Sequence, residues 1–279
     1  MWESADLSFI EQKVGGLHTK RSGPPTGEAV LLSAGLGGGG DYWRPQLATL
    51  TRRFQAVLYD HRGTGRSARE PLPSPYTVTH LAEDLRLVLD GLGIEAAHIV
   101  GHAAGGIAGL ELARLAPGRL RSLTIVNGWA VADPHFRRCL EIRRDIYRAG
   151  GAAAYLKAQP LFLYPAAWIS ETLADLDAQA AHHAVDFQSE ATLFARMAAV
   201  ESFDIRAALP VIQVPTLLVS SLDDMLVPSR ASRTLAAGLP NASLVEMPWG
   251  GHAVNITQSD PFNEQLLSFL SHHQGPSAR

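Results

Sequence analysis

The chain has a single cysteine, Cys139, in 279 residues. One thiol excludes an internal disulfide framework and any metal site built from several thiolates. It also fits a reducing compartment. Charge of one sign is lacking as well: 24 Lys and Arg face 27 Asp and Glu, for a formal net charge of -3. Nothing in that balance calls for nucleic acid or an anionic membrane as a partner. There is no long hydrophobic run. The least charged stretch, residues 98–110, is too short to cross a bilayer and is rich in glycine. Residues 1–16 carry Glu3, Asp6, Glu11 and Lys13, unlike the apolar core of a signal peptide. These absences predict a cytoplasmic protein, monomeric or homodimeric, that acts on a small-molecule substrate. Its tail, residues 272–279 with Gly275 and Pro276, is expected to fray.

What is present is an alternation of short apolar runs and helical periodicity. Residues 29–33 (AVLLS), 56–59 (AVLY), 97–100 (AHIV) and 122–126 (SLTIV) read as buried strands bounded by small or polar residues. Residues 43–51, 78–92 and 106–115 between them read as helices, and residues 7–13 as a further edge strand. Strands alternating with helices predict βαβ units: a mostly parallel sheet with helices on both faces. From about residue 127 to 203 the pattern is helical, interrupted by Pro160 and Pro165. Strand signals return at 215–220 and 242–247, and residues 262–272 read as a last helix. The predicted organisation is therefore a core of residues 1–127 and 204–279, with residues 128–203 as a helical lid over the carboxyl ends of the strands, where such sheets bind ligands.

Gly35 to Gly40 satisfies the G-x-G-x-x-G pattern between a strand and a helix, and Asp60 ends the next strand at the dinucleotide spacing. A glycine run meets that pattern cheaply, so two other readings stand beside it. One is a flexible turn. The other is a loop that brings a backbone N–H close to a reacting oxygen. No cofactor is called for by the rest of the chain.

A second glycine corner, Gly101-His102-Ala103-Ala104-Gly105, follows the strand at 97–100 and precedes a helix, as in the G-x-S-x-G nucleophile elbow. Ala103 stands at the serine position. Asp224 follows the strand at 215–220, with Asp223 as the competing acid, and His252 follows the strand at 242–247. Elbow, acid, histidine is the order of α/β-hydrolases. Together with Asp60-His61-Arg62-Gly63-Thr64-Gly65-Arg66-Ser67, these motifs make the chain resemble that superfamily over nearly its whole length. Asn127-Gly128-Trp129, Arg137-Arg138-Cys139, the run from Ala158 to Ala166 and Met247-Pro248-Trp249 look, more narrowly, like the RutD-type hydrolases of uracil catabolism.

The resemblance implies an α/β-hydrolase fold, an Asp224–His252 pair, and an oxyanion hole from the backbone N–H groups of Leu36 and Ala104. It implies hydrolysis of aminoacrylate to malonic semialdehyde and ammonia, or of carbamate. Gly35, Trp129, Tyr164 and Trp168 become candidate pocket residues. Alanine cannot attack, so an acyl-enzyme at Ala103 is excluded and a water activated by His252 takes its place. Binding and an oxyanion hole alone give roughly 10³–10⁴-fold catalysis, and general base action adds about 10²–10⁴. That suits a substrate already decomposing in water. Two alternatives remain: a hydrolase-fold protein that only binds a ligand, and a serine esterase with an engineered alanine. His102 is expected to be structural and Asp60 to order its turn. Arg137, Arg138, Arg143, Arg144 and Arg148 are expected to form a solvated helix face, and Cys139, with no base in view, to pack inertly.

Overall fold

The computed structural model describes residues 7–274, so the expectations for residues 1–6 and for the tail beyond 274 lie outside the described residues. A sheet of eight strands runs through it in the order β1-β2-β4-β3-β5-β6-β7-β8. The strands are β1 Ile10–Val14, β2 Leu17–Ser22, β3 Ala29–Ser33, β4 Gln55–Tyr59, β5 Ala97–His102, β6 Leu120–Val126, β7 Thr216–Ser221 and β8 Ala242–Met247. β1 pairs antiparallel with β2, and β2 with β4; every other pair is parallel.

The parallel strands are apolar on both faces because both are covered. Val30 and Leu32 of β3 point to one side, against Trp43 and against Leu47 and Leu50 of α1 (Arg44–Leu50) and Phe262, Leu266 and Leu270 at the end of the chain. Leu31 points to the other side, toward α2 (Val78–Gly91) and α3 (Ala104–Leu115). Between β6 and β7 the chain leaves the sheet as α4 (Pro134–Ala158), α5 (Pro160–Leu163), α6 (Ala166–Ala184) and α7 (Glu190–Ser202). An isolated antiparallel bridge between Val131 and Asp204 pins the two stems of this insertion together. Pro160 opens α5 and Pro165 caps α6, so both prolines sit where a missing N–H costs nothing. After the insertion come α8 (Arg230–Gly238), α9 (Val254–Thr257) and α10 (Ser259–His272).

Several elements depart from the sequence reading. The edge strand begins at Ile10 rather than residue 7, and β2 and α8 were not anticipated. β1 and β2 form a hairpin whose turn, Gly15-Gly16, has both φ values positive (53° and 83°), the form that matches the twist of the flanking strands. Helix α3 starts at Ala104 rather than Gly106. Gly105 and Gly106 read as turn residues, but they are small because the helix presses on the sheet: a Cβ at Gly105 would lie 2.2 Å from the Ser33 carbonyl oxygen, and one at Gly106 2.7 Å from Ile125.

That close approach makes a test. Gly105→Ala is expected to cost more than about 3 kcal/mol by chemical denaturation, since the obstruction is backbone. Gly37→Ala, where a Cβ meets nothing within 4 Å, is expected to stay within about 0.5 kcal/mol of the parent.

Candidate active site

The corner between β5 and α3 holds the centre of the candidate site. A Cβ at Gly101 would lie 2.4 Å from the backbone of Gly105, so only glycine lets the strand turn this sharply into the helix. The tip is Ala103, at φ 47° and ψ -108°, a conformation residues with a Cβ seldom adopt. Its N–H donates to the Val126 carbonyl at 2.8 Å. The N–H of Ala104, first in α3, has no partner within the helix and lies at the positive end of its dipole. The Leu36 N–H likewise has no hydrogen-bond partner among the described residues.

His252 is buried, and its Nδ1 lies 2.8 Å from Oδ2 of Asp224. The other carboxylate oxygen of Asp224 accepts the N–H groups of Leu226 (2.8 Å) and Val227 (2.9 Å). An acceptor at Nδ1 fixes the tautomer with the proton on that atom and leaves Nε2 with a free lone pair. Asp223 is used differently: its Oδ1 accepts from the Ser221 hydroxyl (2.5 Å) and the Gly251 N–H (2.9 Å). The two adjacent carboxylates thus separate into one that holds the imidazole and one that holds its loop.

The loop is also held from below. The His252 carbonyl accepts Nε2–H of His102 at 2.8 Å and Nδ2–H of Asn127 at 2.7 Å. Asn127 takes a positive φ of 50°, and its Oδ1 accepts the Ser221 N–H at 3.1 Å. It therefore joins the ends of β6 and β7 to the histidine loop. The sequence reading used Asn127 only as part of a resemblance. The available signal was an asparagine directly after a buried strand, since asparagine tolerates the left-handed region. His102 stacks on Tyr42 (centroids 4.8 Å apart) and meets the His252 ring edge-on at 4.6 Å. A Cβ at Gly35 would strike its Nδ1 at 2.8 Å, which is why that position is glycine.

Asp60 clasps the glycine loop: its Oδ1 accepts the Gly40 N–H (2.8 Å) and its Oδ2 the Arg66 N–H (2.9 Å). Both oxygens are thus taken by backbone. Gly38, at φ 78°, lies where a Cβ would be 2.6 Å from Thr64 and 3.0 Å from the Arg196 guanidinium. In the insertion, Trp129 is buried against Phe136, with ring centroids 4.5 Å apart. Tyr164 and Trp168 pair at 4.4 Å, half-buried, beside the histidine loop, where the Ala253 N–H donates to the Leu163 carbonyl at 3.0 Å. Burial raises the Tyr164 hydroxyl to about 12.

Cys139 does have a neighbouring imidazole: its Sγ is 3.5 Å from Nε2 of His135, one helical turn away. That nitrogen also lies 2.5 Å from the Met225 carbonyl, to which it can only donate, so it offers the thiol no lone pair. Burial raises the thiol's pKa, in line with inert packing. Among the described residues no group of three or more His, Cys, Asp or Glu is placed to hold a metal ion, and no helix is long and apolar enough to cross a membrane.

Two outcomes follow. Asn127→Ala removes the clasp on the His252 carbonyl and places alanine at a positive φ; it is expected to cost about 2–4 kcal/mol by denaturant titration. His61 and His102 are both buried, and burial holds each well below the usual imidazole range, helped by Arg196 and His252 respectively. The folded chain keeps them neutral, whereas the unfolded chain protonates them below about pH 6.5. Stability is therefore full above that pH and declines below it, by up to one proton's slope per histidine. Denaturation midpoints are expected to fall between pH 7 and pH 5, less steeply for His102→Gln; a flat or rising profile would contradict this.

Comparison with known proteins agrees with the geometry. Residues 28–259 match the alpha/beta hydrolase fold family. A protein of Caulobacter vibrioides named "Putative carbamate hydrolase RutD" is 50% identical over 259 residues, covering 92% of this chain and 96% of that protein. A Klebsiella pneumoniae protein of the same name is 45% identical over 247 residues, covering 88% and 92%. Among solved structures, the enol-lactonase of Burkholderia xenovorans LB400 superposes with a TM-score of 0.84 at 27% identity, covering 94% of this chain and 100% of that one. A hydrolase from Pseudomonas aeruginosa PA01 gives 0.83 at 29%, covering 96% and 99%. With its elbow, acid and histidine arranged as described, the chain belongs to the α/β-hydrolase family and, within it, to the RutD hydrolases.

Proposed function

We propose that this chain hydrolyses the C–N bond of a small amino-substituted carboxylate, carbamate in the first place, with water as the nucleophile and no acyl-enzyme. The observation that carries the reading is an intact His252–Asp224 pair (2.8 Å) beside an elbow tipped by alanine. The relatives' name supports carbamate. Nε2 of His252 takes a proton as water adds to the carbamate carbon, and Asp224 stabilises the imidazolium. The N–H groups of Leu36 and Ala104 receive the charge that develops on oxygen. The imidazolium then returns its proton to nitrogen, and ammonia leaves with bicarbonate as the other product.

Aminoacrylate suits the same machinery. Its enamine tautomerises to an imine, water adds at C3, and ammonia leaves to give malonic semialdehyde. Both compounds decay unaided in water, so a site without a nucleophilic hydroxyl has only a modest barrier left to lower. Pyrimidine nitrogen catabolism is the setting in which either would arise.

The test follows ammonia release from carbamate, and malonic semialdehyde from aminoacrylate generated in situ. The parent is expected to accelerate one of them, and His252→Ala to lose at least about 10²-fold of that acceleration. Unchanged decay on adding the parent, or equal rates for parent and His252→Ala, would overturn the reading. Ala103→Ser is expected to gain labelling by a serine-directed phosphonate that the parent lacks.

A further inference from the structure

The arginines of α4 divide into two kinds. Arg137 and Arg144 pair with Glu201, Arg138 with Glu141 and Arg148 with Asp145, as on a solvated face. Arg143, grouped with them in the sequence reading, is buried instead. Its Nη2 donates to the Tyr155 hydroxyl, and its guanidinium lies 4.9 Å from the centre of the Tyr155 ring and 5.5 Å from that of Phe162.

Arg196, on α7, is buried as well, at 1% exposed, and pairs with no carboxylate among the described residues. A buried guanidinium that no carboxylate offsets is costly. What it holds is backbone. Its Nη2 donates to the Leu36 carbonyl at 3.1 Å and to Nδ1 of His61 at 2.8 Å. Arginine can only donate, so Nδ1 is the acceptor and His61 carries its proton on Nε2. That Nε2–H reaches the Ser33 hydroxyl at 3.1 Å, which meets the Tyr59 hydroxyl at 2.9 Å. A second side chain of the insertion, Gln188, approaches the Leu36 carbonyl with its Nε2 at 3.4 Å.

The segment so held is a tight turn beside the elbow. The Gly38 N–H donates to the Gly35 carbonyl at 3.0 Å, and the Gly38 carbonyl accepts the His61 N–H at 2.8 Å. Neither Leu36 nor Gly37 takes a positive φ, so residues 35–38 form a type I turn. A Cβ at Gly35 would meet His102, and one at Gly105 the Ala34 carbonyl, which places the turn against the corner. In a trans peptide the N–H and C=O point opposite ways. The Gly35 carbonyl points into the turn, so the Leu36 N–H points out of it. The Leu36 carbonyl points at Arg196, on the side opposite its own N–H, as in a turn of helix. That N–H has no partner among the described residues.

A type I turn becomes type II when its central peptide, here Leu36–Gly37, flips, and the flipped form needs a positive φ at Gly37. Glycine allows it. In the conformation seen, neither crowding nor φ requires glycine there: a Cβ would meet nothing within 4 Å. The flip would swing the Leu36 carbonyl oxygen away from Arg196 toward the side of the Leu36 N–H. A negative dipole end would then face the charge that develops on the substrate oxygen.

We propose that Arg196 is a positioning residue: it locks the Leu36–Gly37 peptide, leaving the Leu36 N–H open to the developing oxyanion and holding the Leu36 carbonyl away from it. This rests on the hydrolytic reading above, in which Leu36 is an oxyanion donor. The insertion thereby sets one wall of the oxyanion hole as well as covering the strands.

Leucine carrying 13C at its carbonyl and glycine carrying 15N mark two peptides of the chain, Leu36–Gly37 and Leu92–Gly93, so NMR of the intact protein reads the lock beside an internal control. The parent is expected to give one Gly37 signal. Arg196→Met is expected to displace or split it and to leave the Gly93 signal in place. On whichever substrate the parent accelerates, Arg196→Met is expected to lower kcat roughly 10- to 100-fold with KM within about threefold, because the donor acts on charge present only in the transition state. Alanine resists positive φ, so that loss is expected to shrink several-fold when both members of the comparison carry Gly37→Ala. An unmoved Gly37 signal in folded Arg196→Met overturns the proposal, as does a moved signal with unchanged kcat or a loss that Gly37→Ala leaves undiminished. Two comparable Gly37 signals in the parent overturn it without any variant, so a substitution that fails to fold does not shield it. A Gly37 signal that depends on Arg196, in a parent that accelerates neither carbamate nor aminoacrylate decay, keeps the lock and refutes the hydrolytic reading; full turnover in Arg196→Met does the reverse.

Discussion

A strand cannot turn into a helix within two residues unless the backbone may touch itself, and the corner at Gly101 to Gly105 is where this chain does so. A Cβ at either end would lie within 2.4 Å of backbone atoms. The consequence is a tip residue held at φ 47°, projecting from the carboxyl end of β5 with the first N–H groups of α3 beside it. In a serine hydrolase the strain of this corner presents a nucleophile. Here it presents a methyl group, next in sequence to His102, whose ring centre lies 4.6 Å from that of His252.

The imidazole is placed by its backbone as much as by its side chain. Asp224 holds Nδ1, but the loop carrying His252 is fixed by His102 and Asn127 on its carbonyl and by Asp223 on the N–H of Gly251. Each comes from a different strand end: β5, β6 and β7 all contribute. The parallel sheet therefore delivers the site as a unit, which is why ligand chemistry in this architecture gathers at the carboxyl ends of strands. Charge is organised the same way. Arginines on the outside of the insertion are neutralised by carboxylates, whereas Arg143 and Arg196 are carried inward and pair with no carboxylate among the described residues.

Much of this was legible in the sequence. β3 and β8 fall at the predicted bounds because each is a short run with turn residues on both sides. The acid and histidine loops were placed by their order after strands. β2 escaped because Leu17–Ser22 carries His18, Lys20 and Arg21, whose polarity is answered by tertiary partners: Lys20 pairs with Asp41, and Glu11 meets His18. The four-residue spacing to Pro228 favours Asp224 over Asp223 as the partner of His252, and the side chains divide that way, Asp224 on the imidazole and Asp223 on the Gly251 N–H. Arg196 left no trace, because a single arginine in a helix looks the same whether it faces water or the core. Its burial is decided by the glycine loop that packs over it.

The central claim is that solvent, not a side chain, forms the new bond. Rapid quenching into alkaline denaturant during turnover on carbamate, followed by intact-protein mass spectrometry, tests it most directly. The account predicts only the unmodified mass at every time point. A carboxyl adduct, the group left on a side chain once ammonia departs, that forms and decays at the turnover rate would contradict it.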